Sequence, residues 1–220
     1  MRNLILAEVE TLLEQQPLLT KSETDDGLIV CGKYKICNQF EDEVYEDYFA
    51  LEIYVPDGFP VDIPTVKTTD GRIRANNYKG HVYENGQFCM DINTAIAEYL
   101  QGNPSLLTFL TRYLDSYLFG FLYYRKHKIM PFGEHKHGIP GLMDYYCKLF
   151  DTADIKIAYS LLSCIFKDNL KGHILCPCQS GQHYRDCHRE RINELRSGRL
   201  YERYKSDYEK IVSELSKKKR

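Results

Sequence analysis

Two stretches of alternating side chains, Gly27 to Cys37 and Tyr48 to Val55, restrict the folding of this chain more than any other feature. In the first, Leu28-Ile29-Val30-Cys31 gives way to alternation through Tyr34 and Ile36. In the second, Phe49, Leu51, Ile53 and Val55 alternate with other residues up to Pro56-Asp57-Gly58. A period of two places one set of side chains on one face, so both stretches read as strands of a sheet with an apolar side. Between them, the acidic run Glu41-Asp42-Glu43 predicts a solvated hairpin loop. Upstream, Ile5, Leu6, Val9, Leu12 and Leu13 recur at helical spacing among Glu8, Glu10 and Glu14, and Pro17 ends that helix. Downstream, Phe59-Pro60 and Ile63-Pro64 lead into a third strand at Thr65-Val66-Lys67-Thr68. The class is α+β: one helix, then an antiparallel meander, then helices.

Some twenty polar residues follow, from Asp70 to Gln87, a loop of the kind that carries function on a rigid scaffold. A short helix is expected over Thr94 to Leu100. Asn103-Pro104 reads as the start of the next, with Asn as N-cap and Pro in the first turn. Leu106 to Tyr124 is apolar on several faces (Leu107, Leu110, Leu114, Leu118, Phe121, Leu122) and is expected to be buried against the sheet. Lys126 to Pro140 holds His127, His135 and His137. With no third ligand nearby, the plain reading is a loop of hydrogen-bonded imidazoles, and metal binding is the alternative. Leu142 to Phe150 and Ile155 to Phe166 read as two helices, and Arg189 to Leu215 as one charged amphipathic helix ending in Lys217-Lys218-Lys219-Arg220. The expected divisions are a first domain over 1–168, a knuckle over 172–190 and a C-terminal helix with a basic tail over 191–220.

At 220 residues the chain is long enough for one core domain and an appendage. Its net charge of −2 points neither to nucleic acid nor to a membrane surface, and the basic tail reads as a solvated end. No apolar run approaches the ~18 residues of a membrane span, and Glu8 and Glu10 interrupt Leu4-Ile5-Leu6-Ala7 too soon for a secretory segment. A cytoplasmic protein is expected. In that compartment eight cysteines point to metal binding or thiol chemistry rather than to disulfides.

Two features carry chemistry. In Asn85-Gly86-Gln87-Phe88-Cys89-Met90-Asp91-Ile92, an Asn-Gly turn presents a cysteine between two apolar residues. Further on, Cys176-Pro177-Cys178-Gln179-Ser180-Gly181 is followed by Cys187-His188. Three thiols and an imidazole make a complete tetrahedral set for a structural zinc ion, and the polar stretch between the pairs cannot form a core of its own.

The order of helix, meander, loop, cysteine and helix resembles that of ubiquitin-conjugating enzymes. That family shows Asn-Gly-X-apolar-Cys-apolar-Asp-Ile at its catalytic cysteine, which here is Asn85 to Ile92. Phe59-Pro-Val-Asp-Ile-Pro64 stands where the family has Tyr-Pro-X-X-Pro-Pro, and His81 stands for the histidine of its His-Pro-Asn motif. Val82-Tyr83 follows His81, so the Pro and the oxyanion-stabilising Asn are missing and the His-to-Cys spacing is shortened, as in bacterial relatives. The resemblance spans residues 1 to about 125. The tail resembles the SEC-C motif, Cys-X-Cys-X8-Cys-His, and eight residues do separate Cys178 from Cys187. A conjugating-type chain with such a tail is similar to those of anti-phage operons of the CBASS kind. The implied partner is then the C-terminus of a cGAS-like nucleotidyltransferase.

The resemblance implies acyl transfer through Cys89: a thioester with a protein C-terminus, then transfer to an amine. It gives His81 the task of lowering the thiol pKa or donating to the oxyanion. Asp91 either orients the incoming amine or caps the next helix, and Asn85 serves the turn. No phosphate-cradling loop is present, so a separate activating enzyme is expected. Three alternatives stay open: a non-catalytic binding module of the same fold, a hydrolase with Cys89 and His81 as a dyad, and a zinc-dependent adaptor.

Overall fold

The computed structural model describes residues 2–78, 81–133, 136 and 138–217. The chain divides into two compact units, Met1–Glu134 and His135–Arg220.

The first unit opens with helix α1 (Arg2–Gln15), which buries Ile5, Val9 and Leu12 along one face. Four strands follow, β1 (Leu19–Thr24), β2 (Gly27–Phe40), β3 (Glu43–Pro56) and β4 (Thr65–Thr68), in an antiparallel meander of order β1-β2-β3-β4. The alternation read from the sequence sets its inner face: Leu28 pairs with Val55, Val30 with Ile53 and Tyr34 with Phe49, and all six are buried. Strand β1 is an addition to the expected meander. Its residues after Leu19 face solvent and show no apolar period, so only backbone pairing to β2 defines it. Gly32 permits that pairing: it sits at φ 137°, and a Cβ there would lie 2.1 Å from the Leu18 carbonyl oxygen. The β2–β3 hairpin is also longer than its alternation. Phe40 pairs with Glu43, leaving Glu41-Asp42 as a two-residue turn, because Phe40 and Tyr45 both pack on Phe119 at 5.4 and 5.2 Å.

Beyond the loop, α2 (Asn93–Gly102) and a long helical stretch complete this unit. The expected start at Asn103-Pro104 is corrected: Asn103 closes α2 by donating to the Tyr99 carbonyl, and Ser105 is the N-cap of α3 (Leu106–Phe109), accepting from the Thr108 amide. Glu8 of α1 also accepts from the Leu106 amide at 2.7 Å, placing a carboxylate at that helix N-terminus. The helix continues through a π-helical turn, Leu110–Asp115, into α4 (Ser116–His127). Its buried face carries Leu110, Leu114, Leu118 and Phe121. His127 is the last residue of α4 and hydrogen-bonds Tyr45 through Nε2 at 3.0 Å. His135 and His137 lie outside the described residues.

The second unit holds α5 (Gly138–Leu149), α6 (Ile155–Cys164), α7 (Arg189–Ser197) and α8 (Tyr201–Lys217). Helices α5 and α6, which the sequence placed in a domain over 1–168, belong here. Tyr146 donates to Asp207 at 3.1 Å, and Tyr159 and Phe166 stack on Tyr208. The single helix expected over 189–215 is two, because Gly198 leaves the helical conformation with ψ 160°. From α7, Arg196 donates to the carbonyls of Cys164, Ile165 and Lys167 at 2.7–2.9 Å, satisfying the otherwise unpaired end of α6. Arg196→Ala is therefore expected to cost about 2–3 kcal/mol in the denaturant stability of this unit, with partial recovery in Arg196→Lys. No helix among the described residues is long and apolar enough to cross a membrane.

Candidate functional site

Residues 81–89 form a short ribbon folded back on itself at Asn85-Gly86. Gly86 takes φ 83°, and the Asn85 Oδ1 accepts from the Gln87 amide at 3.1 Å, so Asn85 is a turn residue. The Tyr83 amide donates to Gln87 and the Cys89 amide to the His81 carbonyl, both at 2.8 Å, on either side of a Val82–Phe88 bridge. The ribbon is anchored on the outer edge of β4, where the Phe88 amide donates to Val66 at 2.8 Å. It is held from the other side by α4, where the Tyr117 hydroxyl donates to the His81 carbonyl at 2.7 Å.

Strand alternation then sorts the side chains. Val82 and Phe88 share one face, and Phe88 stacks on Tyr117 with ring centroids 4.4 Å apart. Tyr83, Gln87 and Cys89 alternate to the other, whereas the His81 ring, at the end of the ribbon, has its centroid 6.5 Å from that of Tyr117. His81 and Cys89, eight positions apart in sequence, are thus direct cross-strand neighbours. The His81 ring stacks on Tyr78, centroids 4.4 Å apart. Tyr78 is buried, and Gly120 makes room for its hydroxyl, which would lie 2.9 Å from a Cβ at that position.

The Cys89 thiol is half-buried. Burial pushes its pKa up, a hydrogen bond with the Tyr83 side chain opposes that rise, and the Asp91 carboxylate adds to it; the net direction is upward. The Tyr83 hydroxyl is thus a group that favours the thiolate, in addition to the residues singled out from the sequence. Tyr83 was missed because no motif contains it. Its signal was the alternation His81, Tyr83 and Gln87, Cys89 read across the Asn-Gly turn. Asp91 does not occupy the N-cap of α2: its carboxylate accepts from the Ile92 amide at 2.7 Å, and Ile92 is the cap residue, without a side-chain acceptor. Tyr83→Phe is expected to raise the thiol pKa and slow iodoacetamide alkylation at pH 8 severalfold, whereas Asp91→Asn lowers the pKa and speeds it. Rate–pH profiles followed by mass check both directions.

In the second unit, Cys176, Cys178, Cys187 and His188 converge, their ligand atoms all within 4.8 Å of one another. Cys178 Sγ lies 3.5 Å from Cys187 Sγ, and His188 Nδ1 lies 3.4 Å from Cys176 Sγ and 3.1 Å from Cys187 Sγ. A tetrahedron with Zn–S bonds of about 2.3 Å has edges of roughly 3.8 Å, so the set needs only slight expansion to hold one ion. Burial lowers the His188 pKa, which leaves a neutral imidazole with a lone pair to offer. The frame is a tight loop in which the Cys176 amide donates to Gln182 at 2.8 Å and Tyr184 to Ile174 at 2.9 Å. Gln179 and Gly181 take φ 64° and 80° in its turn. Cys187-His188 leads directly into α7, which fixes the second ligand pair at a helix start. The Ser180 hydroxyl lies 3.2 Å from Cys178 Sγ, beside the ligand set.

No curated protein and no solved structure matches this chain. The SEC-C motif, a zinc-binding motif, matches residues 175–190 and contains all four converging ligands.

Proposed function

We propose that the first unit is a ubiquitin-conjugating-like cysteine acyltransferase. Cys89 takes the C-terminal carboxyl of a protein as a thioester and passes it to a lysine amine. The observation that carries the reading is the ribbon itself. It holds a half-buried thiol beside the Tyr83 side chain and cross-strand from His81, against the edge of a four-stranded sheet. A thiolate is intrinsically nucleophilic even as a minor species, and Tyr83 supplies a hydrogen bond to sulfur. Activation of the carboxylate belongs to a separate enzyme. The resemblance to CBASS-type conjugating proteins makes a cGAS-like nucleotidyltransferase the proposed donor of the C-terminus. The SEC-C knuckle, holding structural zinc through Cys176, Cys178, Cys187 and His188, is proposed as a docking module.

Cys89→Ser tests the reading directly. With a loading system present, the wild-type adduct is cleaved by dithiothreitol, and the serine variant gives an oxyester that survives dithiothreitol but not hydroxide. An adduct of the same stability in both proteins places the bond elsewhere and defeats the proposal. One observation favours a second reading, a non-catalytic binding module: burial and Asp91 hold the thiol above its ordinary pKa. Full biological activity of Cys89→Ala would select that module.

A further inference from the structure

A cleft of about 350 Å³ opens in the first unit between the end of α1, the middle of β2 and the α3–π-helical stretch. It lies within the size range of small-ligand sites. Its apolar wall is Leu12, Ile36, Leu107 and Leu110. Tyr34 and Ile36 lie on the helix-facing side of β2, whereas the intervening Lys35 is on the opposite face, where its ammonium pairs with Glu46 at 2.7 Å. The cleft therefore has one charged side chain directed at it, Asp115, carried at the end of the π-helical turn. π-turns are a recurrent mark of binding sites.

Asp115 is half satisfied. Its Oδ1 accepts from the Tyr34 hydroxyl at 2.7 Å. The other oxygen has no partner among the described residues and is not sealed from solvent. A carboxylate with a free lone pair above an apolar wall fits a ligand with a positively charged donor and a short hydrocarbon body. An anion would be repelled, and a single carboxylate is too few ligands for a metal ion. We infer that this cleft binds a primary ammonium group on a short apolar stem, with the ammonium on the free oxygen of Asp115 and the stem against Leu12, Leu107 and Leu110. Both a free alkylamine and a lysine side chain of a polypeptide present that chemistry.

Binding follows the ionisation of Asp115, whose pKa burial raises to about 6 against the opposing Tyr34 hydrogen bond. From β2 the titratable residues at the cleft are Tyr34, itself pushed far up by burial and by Asp115, and Lys35 and Cys37, whose side chains meet Glu46 on the opposite face. From α1 and the helical stretch the cleft receives Gln15, Gln16 and Thr111, none of which titrates. Affinity is accordingly full above pH 7 and falls below pH 6.

The test is a titration of the ¹⁵N-labelled full chain at pH 7.5 with n-butylamine, n-butanol and Nα-acetyl-lysine N-methylamide, observing the Tyr34, Thr111 and Asp115 amides. Butylamine should give saturable shifts, butanol should bind at least about tenfold more weakly, and binding of butylamine should weaken to a similar extent at pH 5. Asp115→Asn, which keeps an acceptor for Tyr34, should lose the preference for the amine. Blocked lysine binding at least as tightly as butylamine identifies a polypeptide lysine as the ligand, and weaker binding identifies a free amine. No saturation by either amine, or equal binding of butanol and butylamine, overturns the inference, and these wild-type comparisons stand whether or not Asp115→Asn folds.

Discussion

Removal of metal by a strong chelator is expected to unfold the knuckle over residues 172–190 while the first unit keeps its stability. The knuckle has almost no core of its own: among its residues only Cys176 and Tyr184 are buried. Apparent binding free energies of structural zinc in such small motifs are about 10–16 kcal/mol, so metal binding and folding of this loop are expected to be one event. Native mass spectrometry should find one zinc per chain, lost on chelation and in Cys187→Ser. Hydrogen exchange should then show loss of protection at the Cys176 and Tyr184 amides, which donate to Gln182 and Ile174 in the folded loop. Protection that persists without metal would mean that the thiols and imidazole pack as an ordinary cluster.

Asp115→Asn is expected to make the first unit more stable at neutral pH. Burial raises this carboxyl to about 6 from an ordinary 3.8. A raised folded-state pKa means that folding takes up a proton, so the contribution to stability is complete below about pH 4. It is lost as pH rises through about 6. The span corresponds to about 2–3 kcal/mol. Asp115→Asn removes the titration and is expected to stabilise the first unit by up to that amount at pH 7. Urea unfolding at pH 4.5, 6 and 7.5 checks it: the wild-type loses this contribution across the series, and the variant does not. Equal slopes in the two proteins would show that Asp115 ionises freely.

The apolar face of the sheet was legible because Leu28, Val30, Phe49, Leu51 and Ile53 repeat with a period of two, and burial on one side requires that period. Strand β1 was not, because an edge strand such as Thr20–Thr24 buries almost nothing and its pairing is a backbone property. The convergence of Cys176, Cys178, Cys187 and His188 was readable from spacing, since short Cys-X-Cys and Cys-His pairs leave the chain few ways to bring them together. At Cys89 the turn and the cysteine were visible, and His81 does lie opposite. The Tyr83 hydrogen bond to the thiol was not, because Tyr83 reaches it across the ribbon, a relation set by register rather than by motif. The π-helical turn at Leu110–Asp115 has no counterpart in the apolar period, and the break at Gly198 was hidden in a run of charged helix formers.

Thioester formation at Cys89 is read most directly from the intact mass of the protein, purified without reductant from cells that also express its neighbouring genes, before and after dithiothreitol. Acyl transfer through Cys89 requires a species heavier by one polypeptide less one water, which dithiothreitol returns to the free mass and which Cys89→Ala never forms. Unmodified mass throughout, with Cys89 inert to alkylation even at high pH, would contradict it.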